Sequence, residues 1–244
     1  MSPAVHGADF HMPARFVYRY RWRLLGWLLE RHDSLREAFV RSLPGAVHRE
    51  LMVTERIVEV PYVLRSLRLP PGSRVLDVGS RWSTLSLGLA ALGYRVVALD
   101  LVSSPIVGAG PDVVQADIRK PPFRRGALDA AVMISTLEHV GLQAYDARSG
   151  ENDDFLVMEE LRSILRPGGL LLATVPFGRG GAGTFQRSYD GKRLRDLHGG
   201  WRAEDLRFFV RHGLLWREAT EEEASKVDSA RVTQAVALMT LRRP

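Results

Sequence analysis

The sequence predicts an α/β protein: a doubly wound, mostly parallel sheet of seven strands with an N-terminal helical cap. Three observations carry this. From Arg74 onward, apolar strand-like runs alternate with helical stretches. Pro70-Pro71-Gly72 punctuates the chain ahead of that alternation and divides it into a cap over residues 1–70 and a sheet domain over 71–244. Asp77, Asp100, Asp117 and Ser135 stand at or just beyond the ends of the first four strand candidates, which places chemistry along one edge of the sheet.

The cap reads as two helices, over residues 14–41 and 46–68. In the first, Phe16, Tyr20, Leu24, Trp27 and Leu28 share one face. Tyr18, Trp22, Leu25 and Leu29 form a second apolar sector, leaving a narrow stripe of Arg19, Arg23 and Glu30. A helix apolar on two sides is buried on both or lies in something oily. A cap over the ligand pocket is the simplest account of residues 15–31, beside membrane-surface attachment or a homodimer face. Strands follow at Arg74–Val78, Arg95–Asp100, Asp112–Gln115, Ala127–Ser135 and Leu170–Val175, with helices at Ser83–Leu92 and Asp154–Leu165. Gly93 closes the first helix, and Arg166-Pro167-Gly168-Gly169 is a turn ending the second. Leu206–Val210 and Val232–Leu241 read as two further strands around a hairpin-like connection.

Composition narrows the function. A hydrophobic content of 45% supports a sizeable core, and no apolar run reaches the ~18 residues of a membrane span. The N-terminal residues show no secretory pattern, so a cytoplasmic location is expected. The absence of cysteine excludes disulfides, thiolate zinc sites and thiol nucleophiles. The net charge of +6 is almost all arginine, with lysine only at 120, 192 and 226. Residues 1–70 hold eleven Arg against seven Asp or Glu, and no long basic run marks a nucleic-acid surface.

The turn after the first strand, Asp77-Val78-Gly79-Ser80-Arg81-Trp82-Ser83, lacks the further glycines of G-x-G-x-x-G. Arg81 and Trp82 stand where a pyrophosphate needs bare backbone, which argues against NAD, FAD and ATP. The acids are well placed nonetheless. Asp100, ending the second strand, can accept from both ribose hydroxyls, and Asp117, after the third, can meet an adenine amino group. A ligand with adenosine, no phosphate and a cationic sulfonium fits this set.

In VLDVG, VVALDL, Ala116-Asp117-Ile118, LDAAVMISTLEHVG and LRPGGLLLATVP, the chain resembles the class I S-adenosylmethionine-dependent methyltransferases. The resemblance runs from about Val60 to Val175, five motifs in order. It implies S-adenosyl-L-methionine as cofactor, with Asp77 and Gly79 at its methionine part and Ser80 and Arg81 in the following turn. It further implies Asp100 and Leu101 at the ribose, Asp117 and Ile118 at the adenine, and Ser135 lining the pocket. Arg56 could reach the donor carboxylate from the cap.

Transfer to oxygen or carbon calls for a base, and the candidate is His139, just beyond the fourth strand. Glu138 and His139 alone are too few ligands for a hard cation, so no metal is expected. Tyr145 in the long loop 141–153 could bond a hydroxylated acceptor, with Asp153 or Asp154 capping the next helix. The glycine-rich run Pro176–Gly183 is mobile by composition and could close over substrate, bringing Arg187 and Tyr189 inward. The expected protein methylates a small molecule, a natural product, sugar or lipid-linked acceptor, most simply at oxygen. The alternatives are an RNA methyltransferase and a non-catalytic donor-binding subunit or regulator.

Overall fold

The computed structural model describes residues 54–102, 110–142, 150–183, 185–213, 215–230 and 232–244. The helix expected over 14–41, the first 53 of the 70 residues of the proposed cap, and Tyr145 lie outside those residues. Glu55–Pro244 forms one compact unit.

Helix α1 (Arg56–Ser66) leads into strand β1 (Arg74–Val78), a 3₁₀ turn (Ser80–Trp82), helix α2 (Leu85–Ala91), β2 (Arg95–Asp100) and β3 (Asp112–Gln115). Then come β4 (Leu128–Ile134), a second 3₁₀ turn (Leu137–His139), α3 (Asp153–Ile164) and β5 (Leu165–Pro176). A two-stranded ribbon of β6 (Gly181–Ala182) and β7 (Arg187–Ser188) precedes α4 (Gly191–Leu197), β8 (Arg202–His212), β9 (Leu215–Ala219), α5 (Glu221–Ser225) and β10 (Ala235–Arg242).

The main sheet runs β3-β2-β1-β4-β5-β10-β8-β9. β1 to β5 are parallel, with Asp77 beside Ala98 on one side and Val132 on the other. β10 runs antiparallel between β5 and β8. Both faces are covered, which is why the parallel strands are apolar at nearly every position. Alternation within β1 divides the core: Leu76 and Val78 face a layer containing Val157 and Leu161 of α3 and Leu194 of α4. Val75 faces the other layer, with Tyr62 and Val63 of α1 and Leu89 of α2. The Tyr62 hydroxyl, 2.8 Å from Thr240 Oγ1, ties α1 to β10.

Four expectations need correction. Among the described residues the sheet has eight strands rather than seven, because the chain turns back after β8 and adds β9 along its edge. The hairpin-like connection is therefore this β8–β9 pair, and α5 then leads to β10. The Arg166–Gly169 segment is not a turn outside the strand: β5 begins at Leu165 and absorbs it through a register shift opposite Leu128/Ala130. The run after β5 is folded rather than loose. Phe177 is fully buried and bridges Tyr189, and Arg179 N–H donates to the Val227 carbonyl.

Candidate active site

Parallel strands deliver their C-terminal ends to one edge, and the predicted acids meet there. Asp77 is 2% exposed and accepts from the Ser86 hydroxyl at the start of α2. Burial raises its pKa to about 6, with Asp100 adding to that and Ser86 and Arg56 opposing it. Gly79 follows at φ 78°, and its N–H donates to the Leu99 carbonyl (2.8 Å). A Cβ at this position would collide with the Thr136 side chain, so glycine here is demanded twice, by backbone angle and by space.

Asp100 accepts from Arg81 N–H (3.1 Å) at one oxygen and Val102 N–H (3.0 Å) at the other. Each oxygen keeps a second lone pair, enough for two hydroxyls. Leu101, 45% exposed, lies beside it, whereas the Ser80 hydroxyl turns inward to the Leu99 carbonyl. Asp117 is gripped by Arg119, whose guanidinium also reaches Asp153 of α3 (2.7 Å). Ile118 is buried beneath it. Asp153 thus anchors the loop after β3 instead of capping α3. Asn152 holds the cap position without a side-chain bond.

β4 ends in a strained turn. Ser135 has φ 40°, a conformation costing a non-glycine residue about 1–2 kcal/mol. Its N–H donates to Thr174 Oγ1 (3.0 Å), and its hydroxyl donates to Glu59 Oε1 of α1 (2.8 Å). Glu59 is fully buried, and its other oxygen pairs with Arg56. In the next turn His139 Nδ1 lies 2.7 Å from the Phe185 carbonyl, with the rings edge to face at 4.8 Å. A carbonyl only accepts, so Nδ1 carries the hydrogen and Nε2 is the basic nitrogen. Glu138 Oε1 lies 3.7 Å from Nε2. Burial, reinforced by Glu59, holds the Glu138 carboxyl well above the usual carboxylate range.

Arg187 and Tyr189 are both bound into an ionic cluster around Asp154. Tyr189 is fully buried and donates to Asp154 Oδ2 (3.0 Å). Arg187 lies 3.6 Å from the same carboxylate and donates to the Val140 and Glu151 carbonyls, both at 3.3 Å. Arg193 completes the knot with bonds to both Asp154 oxygens. Asp154 is therefore the centre of a buried ionic cluster and not a helix cap. Of the predicted site, the structure brings together Asp77, Gly79, Arg81, Asp100, Ser135 and His139. Three further contributors are Glu59, Thr136 and the Phe185 carbonyl. Only Glu59 left a signal: it shares a helical face with Tyr62 and Val63, an acid where the period calls for an apolar residue.

These acids suit S-adenosylmethionine. The Asp77 carboxyl, deprived of water, would be compensated by an ammonium group, and the Gly79 turn packs directly against the Thr136 side chain, which fixes the wall beside it. Asp100 would take the ribose hydroxyls and Asp117 with Ile118 the adenine. Sheet order and this edge of acids define a class I, S-adenosylmethionine-dependent methyltransferase fold, with S-adenosyl-L-methionine as its cofactor. The family described as "Methyltransferase domain" matches residues 76–173. A ubiquinone biosynthesis O-methyltransferase of Xanthomonas campestris pv. campestris is 32% identical over 124 residues, 47% of this chain and 47% of that protein. The S-adenosyl-L-methionine-dependent Diels-Alderase iliD of Neonectria sp. is 27% identical over 107 residues, 44% of this chain and 40% of that one. The chain thus spans about half the length of the curated relatives it matches. In structure it is similar to a Burkholderia thailandensis 1,6-didemethyltoxoflavin-N1-methyltransferase solved with S-adenosylhomocysteine. The TM-score is 0.52 and the identity 16%, over 93% of this chain and 89% of that one.

Proposed function

We propose that this protein transfers the methyl group of S-adenosylmethionine to a hydroxyl oxygen of a small organic acceptor. The observation that carries the choice of oxygen is the anchoring of His139. With Nδ1–H fixed on the Phe185 carbonyl, Nε2 is turned into a proton acceptor of defined direction, beside the exit of β4. The acceptor oxygen attacks the methyl carbon as the carbon–sulfur bond breaks, and its proton passes to Nε2. Alignment of the two partners supplies much of the rate. The likeness to an O-methyltransferase supports the same atom.

The test is tritiated-methyl transfer from the donor to the small-molecule fraction of a cell extract, wild type beside His139→Ala. Loss of a general base lowers the single-turnover rate about 10²–10⁴-fold. The wild-type rate rises with pH and flattens once the imidazole is neutral. A variant that keeps its rate and its pH profile removes the base.

The likeness to a donor-dependent Diels-Alderase favours one second reading, an enzyme or subunit that binds the donor without spending its methyl group. It predicts donor binding with no S-adenosylhomocysteine released on addition of any extract.

A further inference from the structure

The geometry points to Glu59 as a positioning residue that reaches the active-site edge from outside the family-matched segment: it holds the strained turn at Ser135 and, through that turn, the donor pocket wall and His139. This rests on the donor site proposed above.

Three observations converge. Ser135 is the single non-glycine residue at positive φ among the described residues. Such a backbone persists only where its surroundings over-determine it. The groups that do so are Thr174, which receives the Ser135 N–H, and Glu59, which receives the Ser135 hydroxyl at 2.8 Å. Glu59 is in turn fully buried, and its second oxygen is occupied by Arg56, one turn earlier on α1. Its carboxylate therefore has a fixed direction.

The residues after Ser135 inherit its orientation. Thr136 donates back to the Ile134 carbonyl (2.9 Å), and its side chain fills the space that a Cβ on Gly79 would need. The 3₁₀ turn begins immediately after, closed by His139 N–H to the Thr136 carbonyl (3.0 Å) and Val140 N–H to the Leu137 carbonyl (3.2 Å). A change in the Ser135 backbone thus moves the wall against the Asp77–Gly79 turn and the imidazole together. A residue that only filled core volume would loosen both faces of the sheet instead.

The experiment compares the full chain with Glu59→Ala, Glu59→Gln and the double variant Glu59→Ala/Ser135→Gly. Two readouts are taken: amide hydrogen exchange over residues 135–140 and calorimetric affinity for S-adenosylhomocysteine. Glu59→Ala speeds exchange in that segment and weakens binding roughly 10- to 100-fold, the range for a lost hydrogen bond to a charged group. Glutamine keeps a carbonyl oxygen for the Ser135 hydroxyl but turns an NH2 toward Arg56, so Glu59→Gln falls clearly between wild type and Glu59→Ala. Glycine adopts positive φ without strain, so the double variant recovers most of what Glu59→Ala alone loses. Unchanged exchange over 135–140 in Glu59→Ala, or equal damage from glutamine and alanine, overturns the inference. A wild type that fails to bind S-adenosylhomocysteine overturns the function proposed above, while the exchange arm still decides Glu59.

Discussion

A buried carboxyl group with no cation bonded to it costs free energy whenever it is ionised, and Asp77 is such a group. Its pKa is about 6 where an exposed aspartate has 3.8, a difference equivalent to about 3 kcal/mol. Because the folded value is the higher one, the protonated form favours folding. That stability is fully present below pH 3.8 and is lost as pH rises through 6. Asn carries no such penalty, so Asp77→Asn gains on wild type as pH increases between those limits, which chemical denaturation at a series of pH values measures. Donor binding runs the opposite way. S-adenosylhomocysteine affinity of the wild type falls as pH drops through 6, and the variant binds weakly with no such slope. Asp100→Ala weakens the same ligand by ~1.5–3 kcal/mol at neutral pH, checked by calorimetry. Asp77 and Asp100 were legible because acids ending apolar runs stand out at short range. Glu59 and the Phe185 carbonyl act across 76 and 46 residues, and no local pattern encodes their partners.

Turns, more than strands, decide how this edge is built. Gly79→Ala places a methyl group at φ 78° and against Thr136, so a loss of about 2 kcal/mol or more is expected in urea unfolding. Thr220→Ala removes the hydroxyl of a complete capping box with Glu223 on α5 and costs about 1 kcal/mol in the same assay. The strands Arg74–Val78 and Arg95–Asp100 were readable to the residue, since strands buried on both faces are nearly unbroken apolar runs, and the exposed edge strand Asp112–Gln115 was readable from its Val-Val pair between polar residues. β9 escaped because Leu215–Ala219 lies at the sheet edge and carries Arg217 and Glu218 in five residues, a composition that also suits a loop. α4 and α5 escaped too, although Asp190 and Thr220 are sequence signals for helix starts. Short helices carry too few apolar positions to show a period.

For the molecule as a whole, Glu55–Pro244 contains both core layers and every acid of the donor edge. A chain starting at Glu55 is therefore expected to fold cooperatively and bind S-adenosylhomocysteine within about tenfold of the full-length affinity, roughly the 1.4 kcal/mol that one peripheral contact contributes. Circular dichroism with calorimetry checks this, and a truncated chain that folds but cannot bind would show that the donor edge needs residues 1–54. α1 belongs to this unit through Tyr62 and Val63, so the punctuation at Pro70-Pro71-Gly72 marks the start of the sheet but not the limit of its packing.

The position of β10 sets a schedule for synthesis. It is the last of the described strands to leave the ribosome, yet it lies inside the sheet, with Val236 opposite Pro176 on one side and Phe209 on the other. Until residues 235–242 emerge, β5 and the β8–β9 hairpin each present an unpaired edge, and no strand pairing joins them. A nascent chain stalled before that point holds the whole donor edge but an open sheet, the kind of species that chaperones bind and proteases clear. Emergence of residues 235–242 and closure of the sheet are thus one event, and a chain truncated ahead of Ala235 is one the cell has every physical reason to discard.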